Sequence, residues 1–256
     1  MRRWGGRGGG RGGGPPPRAT PRGGSPAPTV LLNAAYLTDT LLDEGDAAVG
    51  NGSRVHKWTM STGGLWTFAL AEPAGALVAP VNVTASGVHT GGDNAALTCT
   101  TPVTIPADTD CVIYVKANLG AYESTMVPLG LSTGGYLEIN SGDTELGHDV
   151  TLGLDGTFTN YVGGRLGGSI TTGVHLIRLI RASGAWTFAA TGTASFSPAT
   201  GGTVAGAFSF NTLLARGSSG TLDLFSSSAM CLQKLKISYG SSSPDTAYEL
   251  ANGGLL

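Results

Sequence analysis

Between residues 110 and 119 the chain reads DCVIYVKANL, and its side chains alternate. Cys111, Ile113, Val115 and Ala117 fall on one face, with Tyr114 and Lys116 on the other. A period of two marks a strand with one buried face. In GGYLEINSG the same alternation points Leu137 and Ile139 inward and Tyr136, Glu138 and Asn140 outward. From Thr29 onward the chain continues as short apolar or alternating runs broken by Gly, Asn, Asp, Ser and Pro, the punctuation of antiparallel β structure. The pattern predicts strands near 54–59, 65–70, 95–99, 110–118, 125–131, 135–140, 149–154, 157–162, 173–181, 185–190, 203–210, 220–225 and 229–238. Helix is nearly absent; the short stretch around 36–44, in AYLTDTLLD, reads as a single helical turn.

The segment GVHLIRLIRASGAWTFAATG, residues 173–192, predicts a hairpin. Strands 174–181 and 185–190 flank Ala182-Ser183-Gly184, where Gly184 can take the positive φ that a short hairpin loop requires. Apolar residues on both faces of the first strand place it centrally in a sheet. So many strands without intervening helices imply a two-sheet sandwich, because each sheet must cover its apolar face with another layer.

Composition adds a second part to this picture. Of the 256 residues 42 are Gly and only 12% are charged, which suits tight turns and short strands; 41% are hydrophobic, enough for one good core. Residues 1–28 are different: ten glycines, six prolines and a single large apolar side chain, Trp4. Such a segment cannot offset its own ordering entropy, and around Pro15 to Pro17 it favours polyproline II. Residues 1–27 carry six arginines and no acid, which leaves nine basic and seventeen acidic residues beyond them, a net of -8. The arm is cationic and the body anionic. The chain therefore divides into a basic low-complexity arm (1–28), a sandwich domain (29–240) and a C-terminal tail (241–256).

The hairpin resembles the G-x-H-x-(I/V)-R-(L/V)-x-R-x-x-G-x-W strand pair of concanavalin A-like, laminin-G-like jelly-roll domains, through Gly173, His175, Ile177, Arg178, Leu179, Arg181, Gly184 and Trp186. VTIPADTDCVIYVKANL (103–119) is similar to the family's polar turn and following strand, and GTLDLFSSSAMCLQKLKIS (220–238) to the closing pair that returns to the chain start. GNGSRVHKWTMSTGG (50–64) resembles a lead-in common in such domains of tailed-bacteriophage structural proteins. The resemblance implies an all-β, two-sheet antiparallel jelly-roll sandwich over 29–240, preceded by an extended Gly/Arg/Pro-rich N-terminal arm. Two positions depart from it: Thr59-Met60 stand where an Asp usually follows the lead-in Trp, and no aromatic precedes the turn at His89 to Asn94. The calcium or sugar site that family members build with those residues is not carried over.

Candidate chemistry is sparse. Some jelly rolls are glycosidases that use two acids about 5–10 Å apart, but the E-x-D-x-x-E strand is absent, and Glu138, Asp143, Glu145 and Asp149 are separated by turn residues. No cofactor is expected; a calcium site from Asp143, Glu145 or Asp149, or from Asp93 and Asn94, is the metal alternative, since Ca²⁺ takes about six to eight oxygens. His56, His89, His148 and His175 lack metal-ligand spacing, and Cys99, Cys111 and Cys231 form no CxxC. They read as reduced, packed thiols. Trp58, Trp66 and Trp186 are either a sugar-stacking platform or core. No run approaches the ~20 apolar residues of a membrane helix, and no signal peptide follows the first arginines.

The arm has three readings. Arg7-Gly8-Gly9 and Arg11-Gly12-Gly13 resemble an RNA-binding RGG segment; the arm is also a plain tether; or Arg2, Arg3, Trp4, Arg7 and Arg11 anchor it along the acidic surface of a neighbouring subunit. The third is preferred, so capsid or other virion proteins are the expected partners and nucleic acid and membrane are not. The sequence thus predicts a non-enzymatic virion structural protein of a tailed bacteriophage, a capsid decoration or cement protein assembled in the host cytoplasm, as a homotrimer or homodimer. The alternative is a carbohydrate-binding, lectin-like host-attachment module with a glycan as partner.

Overall fold

The computed structural model describes residues 30–33, 41–59, 67–71, 81–84, 86–90, 96–107, 109–119, 126–130, 136–141, 148–153, 161–165, 173–191, 199–203, 206–214 and 230–254. In chain order the strands are β1 (Val30–Asn33), β2 (Leu41–Leu42), β3 (Lys57–Thr59), β4 (Thr67–Ala71), β5 (Val81–Thr84), β6 (Gly87–Thr90), β7 (Ala96–Ile105), β8 (Cys111–Leu119) and β9 (Met126–Gly130). They continue as β10 (Tyr136–Ser141), β11 (His148–Gly153), β12 (Tyr161–Arg165), β13 (Gly173–Ala182), β14 (Ala185–Ala190), β15 (Ala199–Thr203), β16 (Phe208–Leu213) and β17 (Met230–Tyr239), before helix α1 (Thr246–Ala251).

Two antiparallel sheets form the expected jelly-roll sandwich. The first runs β15, β14, β13, β8, β17, β6, β5, with β1 also paired to β17; the second runs β12, β11, β10, β9, β16, β7, β4, β3, β2. Between them lies one core, with Ile113, Val115, Ile177, Leu179 and Trp186 from the first sheet and Trp58, Phe68, Val103, Phe208 and Phe210 from the second. Burying a side chain of this kind contributes about 1.5–3 kcal/mol. β13 sits between β8 and β14, and its two apolar faces meet the core between the sheets and the Val112, Tyr114 and Leu176 cluster on the other side. Its hairpin turns at Ser183 (φ 49) and Gly184 (φ 81), the paired positive values of a two-residue loop.

β17 joins the chain's two ends. β1 pairs with its second half, Val30 opposite Ile237, and β6 meets its first half at Leu232. A bulge between Leu232 and Lys234 changes the parity of β17, so Met230 and Leu232 before it and Leu235 and Ile237 after it all reach the core. Gln233 sits at the bulge, where its Nε2 donates to the Ser86 carbonyl at 2.9 Å.

Arg181 closes one end of the sandwich. Its position on β13 turns it inward, and it is fully buried. The guanidinium donates to the Thr109 carbonyl from Nε (2.8 Å) and Nη2 (2.5 Å), to the Gly206 carbonyl from Nη1 (3.1 Å) and to the Pro106 carbonyl. Its Cζ lies 5.2 Å from the centroid of the Trp186 ring, within cation–π range. Pro106 and Thr109 lie in the turn from β7 in the second sheet to β8 in the first, and Gly206 precedes β16 in the second. One side chain therefore ties the two layers together.

Several elements differ from the sequence pattern. Leu41 and Leu42 form strand, not a helical turn, because they pair with Trp58 and Lys57 of β3. The strand expected at 203–210 is two strands, β15 and β16, interrupted near Gly206. β1, β5 and β6 were not expected, nor was α1; the strand expected at 220–225 lies outside the described residues.

Gly87 marks a tight approach in the first sheet. It has φ +127, and a Cβ there would sit 2.7 Å from the Leu232 carbonyl oxygen. Gly87→Ala is expected to lower stability by about 2–4 kcal/mol in equilibrium urea unfolding; a loss below about 0.5 kcal/mol would show that β6 is not held this closely against β17.

Candidate functional site

Two polar constellations stand out among the described residues. The first is the 43–56 segment that joins β2 to β3. Leu41, Val49, Val55 and Trp58 anchor it in the core, and its backbone braces itself: Val49 N donates to Leu41 O at 3.0 Å, His56 N to Leu42 O at 2.9 Å and Ser53 N to Gly50 O at 3.1 Å. Asp43 Oδ1 accepts from the amides of Gly45 (2.8 Å) and Ala47 (2.9 Å). Lys57 Nζ lies 2.5 Å from Asp46 Oδ1 on the surface. The segment bounds a solvent-open cavity of about 360 Å³, with Asp43, Glu44, Ser53, Arg54 and His56 contributing its polar lining. The 50–64 stretch thus supplies Gly50, Ser53, Arg54 and His56 to one cavity.

The second is a clasp on the outer face of the first sheet. There Val112, Tyr114 and Leu176 are buried, with Ile180 and Tyr248 packed against them. Asp245 starts α1 by accepting from Tyr248 N at 3.0 Å. Tyr114 Oη accepts from Asp245 N (2.7 Å) and donates to Glu249 Oε1 (2.8 Å), which also receives Arg178 Nη1 at 2.8 Å. Lys236 pairs with Asp245 and lies 4.8 Å from the centroid of the Tyr248 ring. Lys234 Nζ donates to Asn252 Oδ1 at 2.7 Å. A six-residue helix has no stability of its own, so these contacts hold it to the sheet. Burial pushes the Tyr114 phenol above its ordinary value, with the Asp245 amide opposing and Glu249 reinforcing the shift. The Lys236 ammonium, aided by the Tyr248 amide, holds Asp245 below the usual carboxylate range. Glu249 is only 2% exposed, so its carboxylate is closed to solvent, whereas Asp245 stands at the open rim of the latch.

Only some of the residues singled out from sequence fall among the described ones. Arg2, Arg3, Trp4, Arg7 and Arg11 lie outside the described residues, as do Trp66, Asp93, Asn94, Asp143 and Glu145. Glu138 on β10 stands opposite Thr151, and Asp149 on β11 opposite Asn140, so these two acids do not share a register position. Among the described residues no group of three His, Cys, Asp or Glu side chains could hold a metal. His175 is buried, with Nδ1 2.6 Å from the Thr191 carbonyl oxygen, which makes Nδ1 the protonated nitrogen. Trp58 and Trp186 are fully buried, so neither offers a face to a sugar. Cys111 is buried inside the sandwich, and burial raises its thiol to about 11. Sequence reasoning missed Glu249, although Asp245 ahead of TAYELA is a helix-start signal. Ser53 and Arg54 stood out only within the lead-in, and His56 there and among the histidines without metal-ligand spacing.

No family model and no curated relative matches the chain. Solved structures similar to it include an arabinofuranosidase complexed with arabinofuranosyl-alpha-1,2-xylobiose, at 9% identity and a TM-score of 0.47, covering 84% of this chain and 59% of that one. This chain thus spans about three fifths of that protein. The Ca²⁺/Man2-bound exoplasmic/lumenal domain of VIP36 matches at 11% identity and a TM-score of 0.44, covering 88% and 92%. The CBM2 module of an evolved Dit from Lactobacillus casei BL23 phage J-1 matches at 12% identity and a TM-score of 0.30, covering 87% and 94%. The likeness is one of all-β, jelly-roll-like fold. The expectation that the chain is not an enzyme is contradicted by the arabinofuranosidase among these structures.

The clasp has a pH signature. Burial raises the phenols of Tyr114 and Tyr248 in the clasp above the ordinary value of 10.0, and that of Tyr239 beside the main core likewise. The folded state therefore holds these protons more tightly, and the stability they contribute is complete below that value and is lost as pH rises past it. Unfolding midpoints are expected to fall above pH ~10, with a shallower fall in Tyr114→Phe; identical alkaline slopes in the two chains would contradict the buried phenol. Glu249→Ala is expected to speed amide exchange at Tyr248 to Asn252 selectively, because Tyr114 and Arg178 lose their shared acceptor. Unchanged protection there would show that the latch lies elsewhere.

Proposed function

We propose that the chain is a surface protein of a tailed-bacteriophage virion, a capsid decoration or cement protein whose sandwich is displayed while residues 1–28 anchor it. The observation that carries this is the partition of charge: six arginines and no acid in residues 1–27, against a net of -8 in the rest. In a symmetric dimer or trimer, an arm of one sign and bodies of the other are self-complementary. The fold suits such an arm. β1 begins at Val30 and is hydrogen-bonded to β17, so a pull on the arm is taken up by a strand pair instead of by a loop. Capsid or other virion proteins are the partners in this reading, and assembly takes place in the host cytoplasm.

A second reading, a carbohydrate-binding host-attachment module of a phage tail or head fibre, is favoured by one observation, the polar cavity of the 43–56 segment.

Deleting residues 1–27 is expected to leave the sandwich folded, with an unchanged unfolding midpoint, and to abolish attachment to particles in a co-sedimentation assay. Raising the salt is expected to weaken attachment of the full chain, because contacts between exposed charges are screened over a Debye length of about 10 Å at 0.1 M. Full occupancy by the truncated chain would contradict the anchor.

A further inference from the structure

We propose that the cavity of the 43–56 segment binds an uncharged, hydroxyl-rich ring, a single glycosyl unit, through Asp43, Glu44, Ser53, Arg54 and His56. The inference deepens the carbohydrate-binding reading by giving it a site, and it does not depend on the arm.

Its first support is preorganisation. The segment is pinned by Leu41, Val49, Val55 and Trp58 in the core, and its own backbone bonds and the Asp43 brace fix the loop between those pins. Side chains carried on such a loop do not have to be ordered by the ligand. The second support is vacancy of hydrogen-bonding capacity. Among the described residues, Asp43 uses only Oδ1, while the carboxylate of Glu44, the Ser53 hydroxyl and the imidazole of His56 make no side-chain hydrogen bond or ion pair. All four line the same cavity. A few polar groups that line a concavity and keep hydrogen-bonding capacity are the usual equipment of a ligand site.

The mixture of groups selects the ligand class. Asp43 and Glu44 accept hydrogen bonds, Arg54 donates them, and Ser53 and His56 can do either. An anion would face the two carboxylates, and a cation the guanidinium. Closely spaced hydroxyls satisfy both sides at once, since each donates to a carboxylate while accepting from a guanidinium or imidazole. The volume of about 360 Å³ is at the lower end of small-molecule cavities, roughly 300–1,000 Å³, and its open side leaves an exit for the rest of a chain.

The test uses the full chain labelled with ¹⁵N, titrated with the methyl glycosides of glucose, galactose, mannose and arabinose, with inorganic phosphate and putrescine as charged comparisons. At least one glycoside is expected to produce saturable shifts at the amides of Gly45, Gly50, Ser53 and His56. Its affinity should fall roughly tenfold in Glu44→Ala and in His56→Ala, with unfolding midpoints unchanged. If a glycoside binds but its shifts lie outside 43–56 and the variants bind as well as the parent, the site is wrong and the carbohydrate-binding reading stands. If no glycoside binds, both fail. Shifts at 43–56 from phosphate or putrescine alone would likewise overturn the ligand class.

Discussion

A buried guanidinium is the constraint on which this sandwich turns. An unsatisfied charge in the interior is among the most expensive things a fold can contain, so wherever Arg181 is placed, acceptors must be brought to it. The acceptors come from the β7–β8 turn, through Pro106 and Thr109, and from Gly206 ahead of β16. Those segments lead into strands of both sheets, and the Trp186 ring completes the surroundings from the neighbouring strand. The spacing of the two layers at this end is therefore set by the reach of one side chain. Ser183 N, in the adjacent hairpin turn, donates to Asp110 Oδ1 at 2.8 Å and fastens the same corner from outside.

The opposite face of the first sheet solves a different problem. β8 and β13 are central strands with apolar residues on both faces, and only one face meets the second sheet. Tyr114, Leu176 and Val112 need a cover, and the segment after β17 supplies one. A cover this short has little apolar area to give, so it is held by charge and hydrogen bonds around Glu249, Arg178, Lys236 and Asp245. With the outer face occupied by α1 and the inner face by the core, the polar cavity forms elsewhere, between β2 and β3.

Much of this was legible in the sequence where side-chain period did the work. β8, β13 and β14 carry strong alternation or apolar content on both faces, and they lie where the pattern puts them. The hairpin turn at Gly184 followed from its need for positive φ. Of the strands outside the predicted set, β2 has only two residues, β1 and β5 are four-residue runs too short to stand out, and β6 owes its place to a glycine that lets it close on β17. α1 escaped for a related reason, because the group it buries toward the sheet is a carboxylate, not an apolar stripe. The family-like hairpin string gave the position of Arg181 without its role, which depends on carbonyls 25, 72 and 75 residues away in the chain. The cavity was invisible for the same reason: nothing in a run of small and charged loop residues says that they converge.

Chemical unfolding of an Arg181→Leu chain tests the central physical claim most directly, since leucine keeps the packing of the stem and removes every donor. Loss of the guanidinium leaves the Pro106, Thr109 and Gly206 carbonyls without their partner, and a decrease of about 2–4 kcal/mol in a single cooperative transition is expected. A stability within about 0.5 kcal/mol of the parent chain would show that the two sheets hold their spacing without this residue.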